Sequence, residues 1–432
     1  MKTLLHGAYV LINDGKKAEC LKNAYIAVEN DKITYAGTVK PLEKFDAVKE
    51  LTNSILMPGL YNTHTHSPMV LLRGVGSDLP LDKWLFEEVC PIEDKLTATD
   101  ITAGSYLACM EMISGGTVSF SDMYFEPQTT AEAVISSGMK ANINRPVQCF
   151  DPEEAPEKSY RLQQQLALYD AYHNSGNGRV LIDFCVHAEY TCTDKITQAV
   201  AQHCKEKNAN LHIHLSETEK EQRECIERHG KTPAQWFEAL GAFDTRAFAA
   251  HCVELTDNDI EILKKHNVSI VHNPTSNMKL ASGFADIQKY INAGLNVSLG
   301  TDGAASNNNL DMFEEMHLAG LIHKGYGKDA TLVNAATVLN MATINGAALQ
   351  GRSDSGAIKA GNKADIIAVN LDSPHMIPCL DPVALLIYAA QGSDVHMTMC
   401  EGKILYENGD YKTIDKEKVL YNVNKTVERL YN

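Results

Sequence analysis

Several features that would mark an unusual protein class are missing from this sequence. No uninterrupted apolar run reaches the roughly 18–20 residues that a transmembrane helix needs, and the N-terminus lacks the apolar segment of a secretory signal peptide. The eleven cysteines are an odd number and include no CxxC pair. This pattern argues against a disulfide framework and is typical of reduced thiols. Together these absences predict a cytoplasmic protein without a membrane partner.

Basic residues are also in short supply. The chain has 39 lysine and arginine residues against 55 aspartate and glutamate residues, a formal net charge of -16. Such a surface repels a nucleic-acid backbone and an anionic membrane, so we expect neither as a partner. A single small nucleoside is compatible with this charge. Hydrophobic content of 44% and charged content of 22% are those of an ordinary globular protein.

The 432 residues exceed the size of most single domains. Both ends of the chain are rich in short strand-like runs separated by turns, which predicts antiparallel hairpins. Between them, apolar strand-like runs alternate with helical stretches, which predicts parallel strands. Examples of the runs are residues 116–120, 180–186, 211–215, 247–251, 268–272 and 297–302, and helices are predicted over stretches such as 99–114 and 256–265. We therefore expect an α/β protein: a TIM-type (β/α)8 barrel over residues 58–360, with a small β-sandwich built from residues 1–57 and 361–432.

The stretch with the clearest chemical meaning is Pro58-Gly59, followed after four residues by His64-Thr65-His66. In an extended strand alternate side chains share a face, so His64 and His66 point the same way. Two imidazoles about 6–7 Å apart along a strand can converge on one ion, and imidazole is a common ligand of zinc and iron. An isolated His-x-His also fits a polar strand face, so the metal interpretation depends on the rest of the chain.

Other apolar runs end in residues that can bind metal or transfer protons. In a (β/α)8 barrel the reactive groups lie at the carboxyl ends of the strands. Single polar residues at strand ends have ordinary structural explanations, but these occur at five separate strand ends. The residues are His64 with His66, His187, His214, His251 and Asp302.

Four of these residues form a complete ligand set. His64, His66, His214 and Asp302 offer three nitrogens and one oxygen with room for a water, which suits one Zn²⁺ or, alternatively, Fe²⁺, whereas Mg²⁺ prefers more oxygens. His212 is an alternative ligand to His214. His214 lies nearer the end of the strand and nearer Glu217, so we interpret His212 as a supporting or structural residue.

The order of the motifs PG-x4-HTH, HIHLSET, AAHCV and GTDG resembles the amidohydrolase superfamily over essentially the whole chain. Many of its members bridge two metals with a carbamylated lysine on the fourth strand. The matching strand here, residues 182–187, has no lysine, which indicates the branch of one-metal deaminases. Residues 69–74, 79–85 and 91–93 closely resemble the 5′-methylthioadenosine/S-adenosylhomocysteine deaminases.

This resemblance implies roles for residues around the substrate. Glu93 would bind ribose hydroxyls, His187 a purine ring nitrogen and Arg145 a polar tail on the 5′ group. Trp84 would line the 5′ side, and Ser306 could reach the purine edge.

Two of these assignments have structural alternatives. Arg145 could form a structural ion pair, and Glu93 could be a charge at a helix N-terminus. Arg161 is the nearest candidate for a second arginine near the tail, but its surroundings do not match the family cleanly.

The groups suggest a mechanism of hydrolytic deamination. A metal lowers the pKa of bound water to about 7, and Asp302 takes the proton of that water. The water attacks purine C6 while Glu217 protonates the ring nitrogen, and His251 holds and polarises the nucleophile. Ammonia leaves after a second proton arrives through Asp302. The expected substrates are 5′-methylthioadenosine, S-adenosylhomocysteine, 5′-deoxyadenosine or adenosine, each converted to its inosine analogue.

Other functions stay open at this point. Guanine and cytosine deaminases and triazine chlorohydrolases share the metal motifs, although a free base would not need Glu93. The unrelated zinc deaminases need a Pro-Cys-x-x-Cys motif, and Pro378-Cys379 lacks the second cysteine. A non-catalytic scaffold is disfavoured because every ligand position is intact. We expect a small-molecule nucleoside as the partner and a homo-oligomer as the assembly.

Overall fold

The computed structural model describes residues 1–13, 15 and 18–431. Its strands are β1 (Lys2–Asn13), β2 (Ala18–Glu29), β3 (Lys32–Gly37), β4 (Ala47–Pro58), β5 (Leu60–Thr65), β6 (Thr117–Met123), β7 (Lys140–Asn144), β8 (Val180–Ile182), β9 (Phe184–Cys185), β10 (Asn210–Leu215), β11 (Arg246–His251), β12 (Ser269–His272), β13 (Val297–Leu299), β14 (Ile366–Asn370), β15 (Val395–Cys400), β16 (Lys403–Glu407) and β17 (Asp410–Tyr411).

The α-helices include several single turns, and most of them follow strands. They are α1 (Leu81–Lys83), α2 (Cys90–Glu93), α3 (Ala98–Ser114), α4 (Pro127–Ser137), α5 (Tyr160–Tyr172), α6 (Ser175–Gly178), α7 (Asp194–Lys207), α8 (Glu219–His229), α9 (Pro233–Ala239), α10 (Asp257–Lys265), α11 (Pro274–Lys279), α12 (Ile287–Ala293), α13 (Met312–Gly327), α14 (Ala335–Ala342), α15 (Ile344–Leu349), α16 (Pro382–Tyr388) and α17 (Lys416–Tyr431).

Strands from both ends of the chain form one eight-stranded sheet in the order β17-β16-β15-β14-β4-β1-β2-β3. Strand β4 joins the two halves, because it runs parallel to β1 and antiparallel to β14. The sheet folds back on itself: the Ile33 N–H donates to Asn362 O at 2.9 Å, and the Ala364 N–H donates to Asp31 O at 2.8 Å. The folded sheet encloses an apolar core of its own.

The parallel strands between residues 60 and 299 form sheets of four and five strands, β5-β6-β7-β8 and β13-β12-β11-β10-β9. Strands β8 and β9 are two halves of one chain segment on either side of Asp183, and they pair with β7 and β10 respectively. The first and last strands meet where the Asp302 N–H donates to His64 O at 2.9 Å. Eight strand positions therefore follow one another in a ring, and the expected (β/α)8 architecture is confirmed.

The third barrel strand, β7, has no counterpart among the predicted apolar runs. Its five residues are all buried, but Lys140, Asn142 and Asn144 alternate with apolar residues. These polar groups are paired inside the protein: Asn142 Nδ2 donates to Asp183 Oδ2 at 2.9 Å, and Lys140 forms a buried ion pair with Asp365. Buried polar side chains with partners are tolerated in a core, and this strand lacks an apolar signal for that reason.

The two ends of the chain also contact the barrel through side chains. Lys140 of β7 reaches Asp365, which precedes β14, and the Tyr61 hydroxyl donates to the same carboxylate at 2.9 Å. Helix α17 lies against α3, where Thr426 Oγ1 donates to Asp100 Oδ1 at 2.9 Å. The division of the chain at residues 57/58 and 360/361 stays a prediction.

Two further findings concern the features missing from the sequence. All eleven cysteines are free thiols, and most of them are buried. No helix in the part of the chain that the structure describes has the length and apolarity needed to span a bilayer.

Candidate active site

The carboxyl ends of the barrel strands bring together the histidines and the aspartate singled out in the sequence. The ligand atoms of His64, His66 and His214 lie within 4.8 Å of one another, and so do those of His64, His251 and Asp302. Asp302 Oδ1 is 3.3 Å from His64 Nε2 and 3.2 Å from His66 Nε2. One small buried space is therefore surrounded by imidazole nitrogens and a carboxylate.

Hydrogen bonds on the far side of two rings turn their other nitrogens toward this space. His66 Nδ1 donates to Met123 O at 2.6 Å, and His214 Nδ1 donates to His187 O at 2.8 Å. A carbonyl oxygen only accepts, so each Nδ1 carries a hydrogen and each Nε2 faces the centre. His64 Nε2 is buried there without a hydrogen-bond partner among the described residues. An orphaned lone pair is costly to bury, and a divalent metal ion fits this donor set.

The pKa values of these groups reflect burial and the charge of Asp302. Burial lowers the pKa of His64 to about 4. Burial also lowers the pKa of His66, but its hydrogen bond to Asp302 and the charge of that carboxylate outweigh burial and raise the pKa to about 9. Burial raises the pKa of Asp302, but its close contacts with the His64 and His66 rings outweigh burial and hold the pKa well below its usual range. The carboxylate is therefore ionised and attracts a cation.

Glu217 and His251 face the same space. Glu217 Oε2 is 3.8 Å from His251 Nε2, and Ser282 Oγ donates to Glu217 Oε1 at 3.1 Å. His251 Nδ1 donates to Asn277 Oδ1 at 2.9 Å, which leaves its Nε2 directed at the site. Both side chains are buried. This pair has the groups needed for general acid–base catalysis.

Arg145 lies on the aromatic ring of Phe125, with its guanidinium carbon 5.1 Å from the ring centroid. Its Nε donates to Gln164 Oε1 at 3.1 Å. Burial, with a smaller contribution from the charge of Arg161, lowers the pKa of Arg145 to about 10. Arg161 is close enough for its charge to act on Arg145, and none of the ion pairs among the described residues includes Arg145.

The other proposed substrate residues lie in the loops that follow the strands. Glu93 ends α2 and accepts a hydrogen bond from the Tyr124 hydroxyl at 2.6 Å, and burial raises the pKa of Glu93. Burial lowers the pKa of His187 to about 3, so its ring is neutral. Trp84 is buried at the start of a π-helical turn between α1 and α2. Ser306 Oγ donates to Asp302 Oδ2 at 2.8 Å, so it supports the carboxylate directly.

The sequence analysis missed the segment after β12. Ser276 Oγ donates to Asp302 Oδ2 at 2.7 Å, Asn277 holds His251, and Ser282 holds Glu217. The signal was present, because this polar segment directly follows the predicted strand that ends at His272. The same criterion that selected the other strand ends would have selected it.

Of the two histidines on β10, only His214 belongs to a group of converging ligand atoms. His212 lies behind His64, with its Nε2 2.8 Å from His64 Nδ1. The preference for His214 over His212 therefore agrees with the geometry.

Comparison with known proteins places the chain in a family. The sequence profile described as "Amidohydrolase family" matches residues 55–405, which include every residue of the site. The chain belongs to the amidohydrolase family. The resemblance drawn from the HTH, HIHLSET and GTDG motifs is thereby confirmed.

The relatives of this amidohydrolase include nucleoside deaminases of nearly the same length. A 5-methylthioadenosine/S-adenosylhomocysteine deaminase of Thermoanaerobacter pseudethanolicus is 44% identical over 421 residues, 97% of each chain. A 5'-deoxyadenosine deaminase of Methanosarcina mazei is 43% identical over 427 residues, 99% of this chain and 98% of the relative.

Solved structures with the same fold contain zinc. An adenosine deaminase from Xanthomonas campestris with bound zinc superposes with a TM-score of 0.94 at 31% identity, covering 99% of this chain and 98% of that one. The atrazine chlorohydrolase of Arthrobacter aurescens, complexed with zinc, has a TM-score of 0.91 at 24% identity, covering 98% and 100%, which shows the shared fold. The zinc-bound adenosine deaminase and the cluster of ligand atoms support a divalent metal in this amidohydrolase.

Proposed function

We propose that this amidohydrolase deaminates adenosine-type nucleosides by hydrolysis, producing the inosine analogue and ammonia. The observation that carries the proposal is one buried space at the barrel mouth where metal-ligand atoms lie within 4.8 Å of one another beside the carboxyl group of Glu217. Relatives at 43–44% identity over nearly the whole chain bear the names of deaminases of this class, which supports the choice of substrate.

The metal in this proposal is a single Zn²⁺, with Fe²⁺ as the alternative. His64, His66, His214 and Asp302 would hold it. When bound, such an ion acts as a Lewis acid and lowers the pKa of a water to about 7. The orphaned Nε2 of His64 and the ionised Asp302 support this assignment. Zinc in the related adenosine deaminase structure supports the choice of ion.

Asp302 takes the proton of the attacking water. Hydroxyl groups of Ser276 and Ser306 donate to its Oδ2 at 2.7 and 2.8 Å, so Oδ1 is the oxygen that faces the ligand nitrogens. These two bonds stabilise the negative charge and fix the carboxylate plane. A carboxylate oriented in this way can accept one proton from water and pass one to the departing amine.

Glu217 protonates the purine ring nitrogen as the water oxygen bonds to C6, so negative charge does not accumulate on the ring. Its Oε1 is held by Ser282 and its Oε2 lies near His251. His251, oriented by Asn277, accepts a hydrogen bond from the oxygen nucleophile at Nε2, which holds and polarises the nucleophile. The C6–N bond then breaks as Asp302 delivers its proton to the amino group. The proton of the C6 hydroxyl returns to the Glu217 carboxylate, which leaves ammonia and the inosine analogue.

The remaining residues select the substrate. Glu93 accepts hydrogen bonds from the ribose hydroxyls. The Tyr124 hydroxyl fixes this carboxylate by donating to Glu93 Oε1 at 2.6 Å. Neutral His187 binds a purine ring nitrogen, Trp84 lines the 5′ side, and Ser306 adjoins the purine edge. Arg145, which is buried and belongs to none of the ion pairs among the described residues, binds a polar 5′ tail. Because Glu93 provides a carboxylate for the ribose hydroxyls, the site favours nucleosides as substrates over guanine, cytosine or triazines.

Ammonia release by the purified, zinc-loaded protein tests this function. The substrates are adenosine, 5′-deoxyadenosine, methylthioadenosine, S-adenosylhomocysteine, guanine and cytosine, with Glu217→Gln as the inactive control. We expect turnover of one or more adenosine nucleosides and none of the free bases. Turnover of guanine or cytosine alone would overturn the proposal.

A further inference from the structure

A second histidine supports His64 from behind. His212 in β10 is fully buried, and its Nε2 lies 2.8 Å from His64 Nδ1. The two ring planes cross at 81° with their centroids 5.0 Å apart, so the rings meet edge to face. A contact this short between two ring nitrogens requires one hydrogen between them.

Only one direction of this hydrogen bond is compatible with a metal at His64. A neutral imidazole carries its hydrogen on one nitrogen and a lone pair on the other. His64 Nε2 faces Asp302 and the other ligand nitrogens, and a nitrogen that binds metal must be unprotonated. His64 Nδ1 therefore carries the hydrogen and donates it to His212 Nε2. It follows that the hydrogen of His212 is on its own Nδ1.

Asn144, the last residue of β7, contacts that second nitrogen. Its amide group lies 3.1 Å from His212 Nδ1. With the amide nitrogen toward the ring, two donors would oppose each other, while Oδ1 would be buried without a partner. Rotating the amide by 180° exchanges its oxygen and nitrogen in nearly the same volume. The Asn144 oxygen then accepts the hydrogen of His212.

We propose that Asn144, His212 and His64 form a buried hydrogen-bond relay that orients His64 and strengthens it as a metal ligand. The hydrogen bonds run from His64 Nδ1 to His212 Nε2, and from His212 Nδ1 to Asn144 Oδ1. His212 and Asn144 are positioning residues, because they act on the site through His64. The inference rests on the proposed metal site. Partners of this kind typically change metal affinity about 10–100-fold.

Zinc affinity, measured by competition with a chelator, tests the relay without relying on activity. His212→Phe removes the acceptor and keeps a ring against Phe248, whose centroid is 4.2 Å from that of His212. We expect zinc to bind about 10–100-fold more weakly. His212→Gln restores an acceptor oxygen and should recover most of the affinity. Asn144→Leu should weaken binding less than His212→Phe does.

A matched control is His323→Phe, which removes another buried histidine. His323 Nε2 lies 3.2 Å from His272 Nε2, outside the relay, so zinc affinity should stay at the wild-type value. Melting temperatures of all variants identify any that fail to fold. Wild-type protein that binds neither zinc nor Fe²⁺ would overturn the proposed function itself. Tight zinc binding by wild type and by folded His212→Phe alike would overturn only the relay.

Neutron diffraction of the zinc-loaded wild-type protein gives a second test that needs no variant. We expect deuterium on Nδ1 of both His64 and His212, with the Asn144 oxygen facing His212. Deuterium on Nε2 of His212 would overturn the relay, because His64 would then be an acceptor at Nδ1.

Discussion

The carboxylate of Glu221 holds the backbone of Glu217. Its Oε2 accepts the Glu217 N–H at 2.7 Å, and its Oε1 accepts the Ser216 N–H at 2.8 Å. Ser216 has a φ of 48°, a left-handed conformation that costs about 1–3 kcal/mol in a residue with a side chain. Glu221 therefore stabilises the strained turn from which Glu217 enters the site, although it does not face the substrate.

Glu221→Gln should lower kcat about tenfold. An amide has only one acceptor oxygen, so one of the two backbone N–H groups loses its hydrogen bond, a loss of about 1–1.5 kcal/mol. Zinc content should not change, since Glu221 is not a proposed ligand. Steady-state kinetics with metal analysis checks this, and the exposed Glu219→Gln on the same helix serves as the control. Wild-type kcat in Glu221→Gln would show that the turn holds Glu217 without help.

Glu217→Gln should lower turnover by roughly two to three orders of magnitude or more, as expected for a lost general acid. The amide cannot protonate the purine nitrogen, but it preserves the volume and accepts the Ser282 hydrogen bond. The variant should keep its zinc. Asp302→Asn should lose comparable activity and bind zinc weakly. Near wild-type turnover in Glu217→Gln would remove the proton-donor assignment.

Chelation should abolish activity, and added zinc should restore it. His66→Ala should lose both the metal and turnover, because it removes one of four ligands and leaves the Asp302 carboxylate without that partner. Elemental analysis should find one zinc ion per active chain. Two tightly bound ions per chain would contradict the single-metal proposal.

Arg145→Ala should separate substrates by their 5′ tails. A guanidinium pairs with a carboxylate in a bidentate manner, whereas a methylthio group offers it nothing comparable. We expect KM to rise for S-adenosylhomocysteine, with a much smaller change in kcat/KM for methylthioadenosine. A lost charge-assisted hydrogen bond of about 1.5–3 kcal/mol corresponds to a ten- to more than hundredfold change in the ratio of kcat/KM for the two substrates. Equal losses on both substrates would indicate a structural role.

Asp183, between β8 and β9, should make the protein less stable as the pH rises from about 4 to 7. Burial raises its pKa to about 7, whereas the unfolded chain releases this proton near pH 3.9. Within that window the unfolded state loses the proton first, so the free energy of unfolding falls by up to about 1.4 kcal/mol per pH unit.

Asp183→Asn removes this titration and should reduce the fall in melting temperature between pH 5 and 7. Asn142 and Asn210 donate to the carboxylate at 2.9 and 3.0 Å. The substitution disturbs these two hydrogen bonds and therefore also shifts the melting temperature, by an amount that does not depend on pH. The exposed Glu227→Gln should keep the wild-type slope. An unchanged slope in Asp183→Asn would show that the carboxyl is not protonated in this window.

Local patterns in the sequence were sufficient for much of the barrel. The apolar runs before His214 and His251 correspond to β10 and β11, because buried parallel strands are continuous apolar segments. The predicted helices at 99–114 and 256–265 correspond to α3 and α10, each capped by a threonine. Strand β7 escaped this criterion because its polar residues have partners from distant segments, which a local pattern does not contain.

Residue types and their spacing were enough to select candidates for metal binding and proton transfer, because these residues lie at strand ends that a (β/α)8 barrel gathers at one face. They are His64, His66, His214 and Asp302. The groups that hold these side chains became visible only in the folded protein. Ser276 meets Asp302 across 26 positions of the chain, and His212 meets His64 across 148. Hydrogen-bond partners of this kind have no periodic signal, because they depend on which strands become neighbours after the chain has folded.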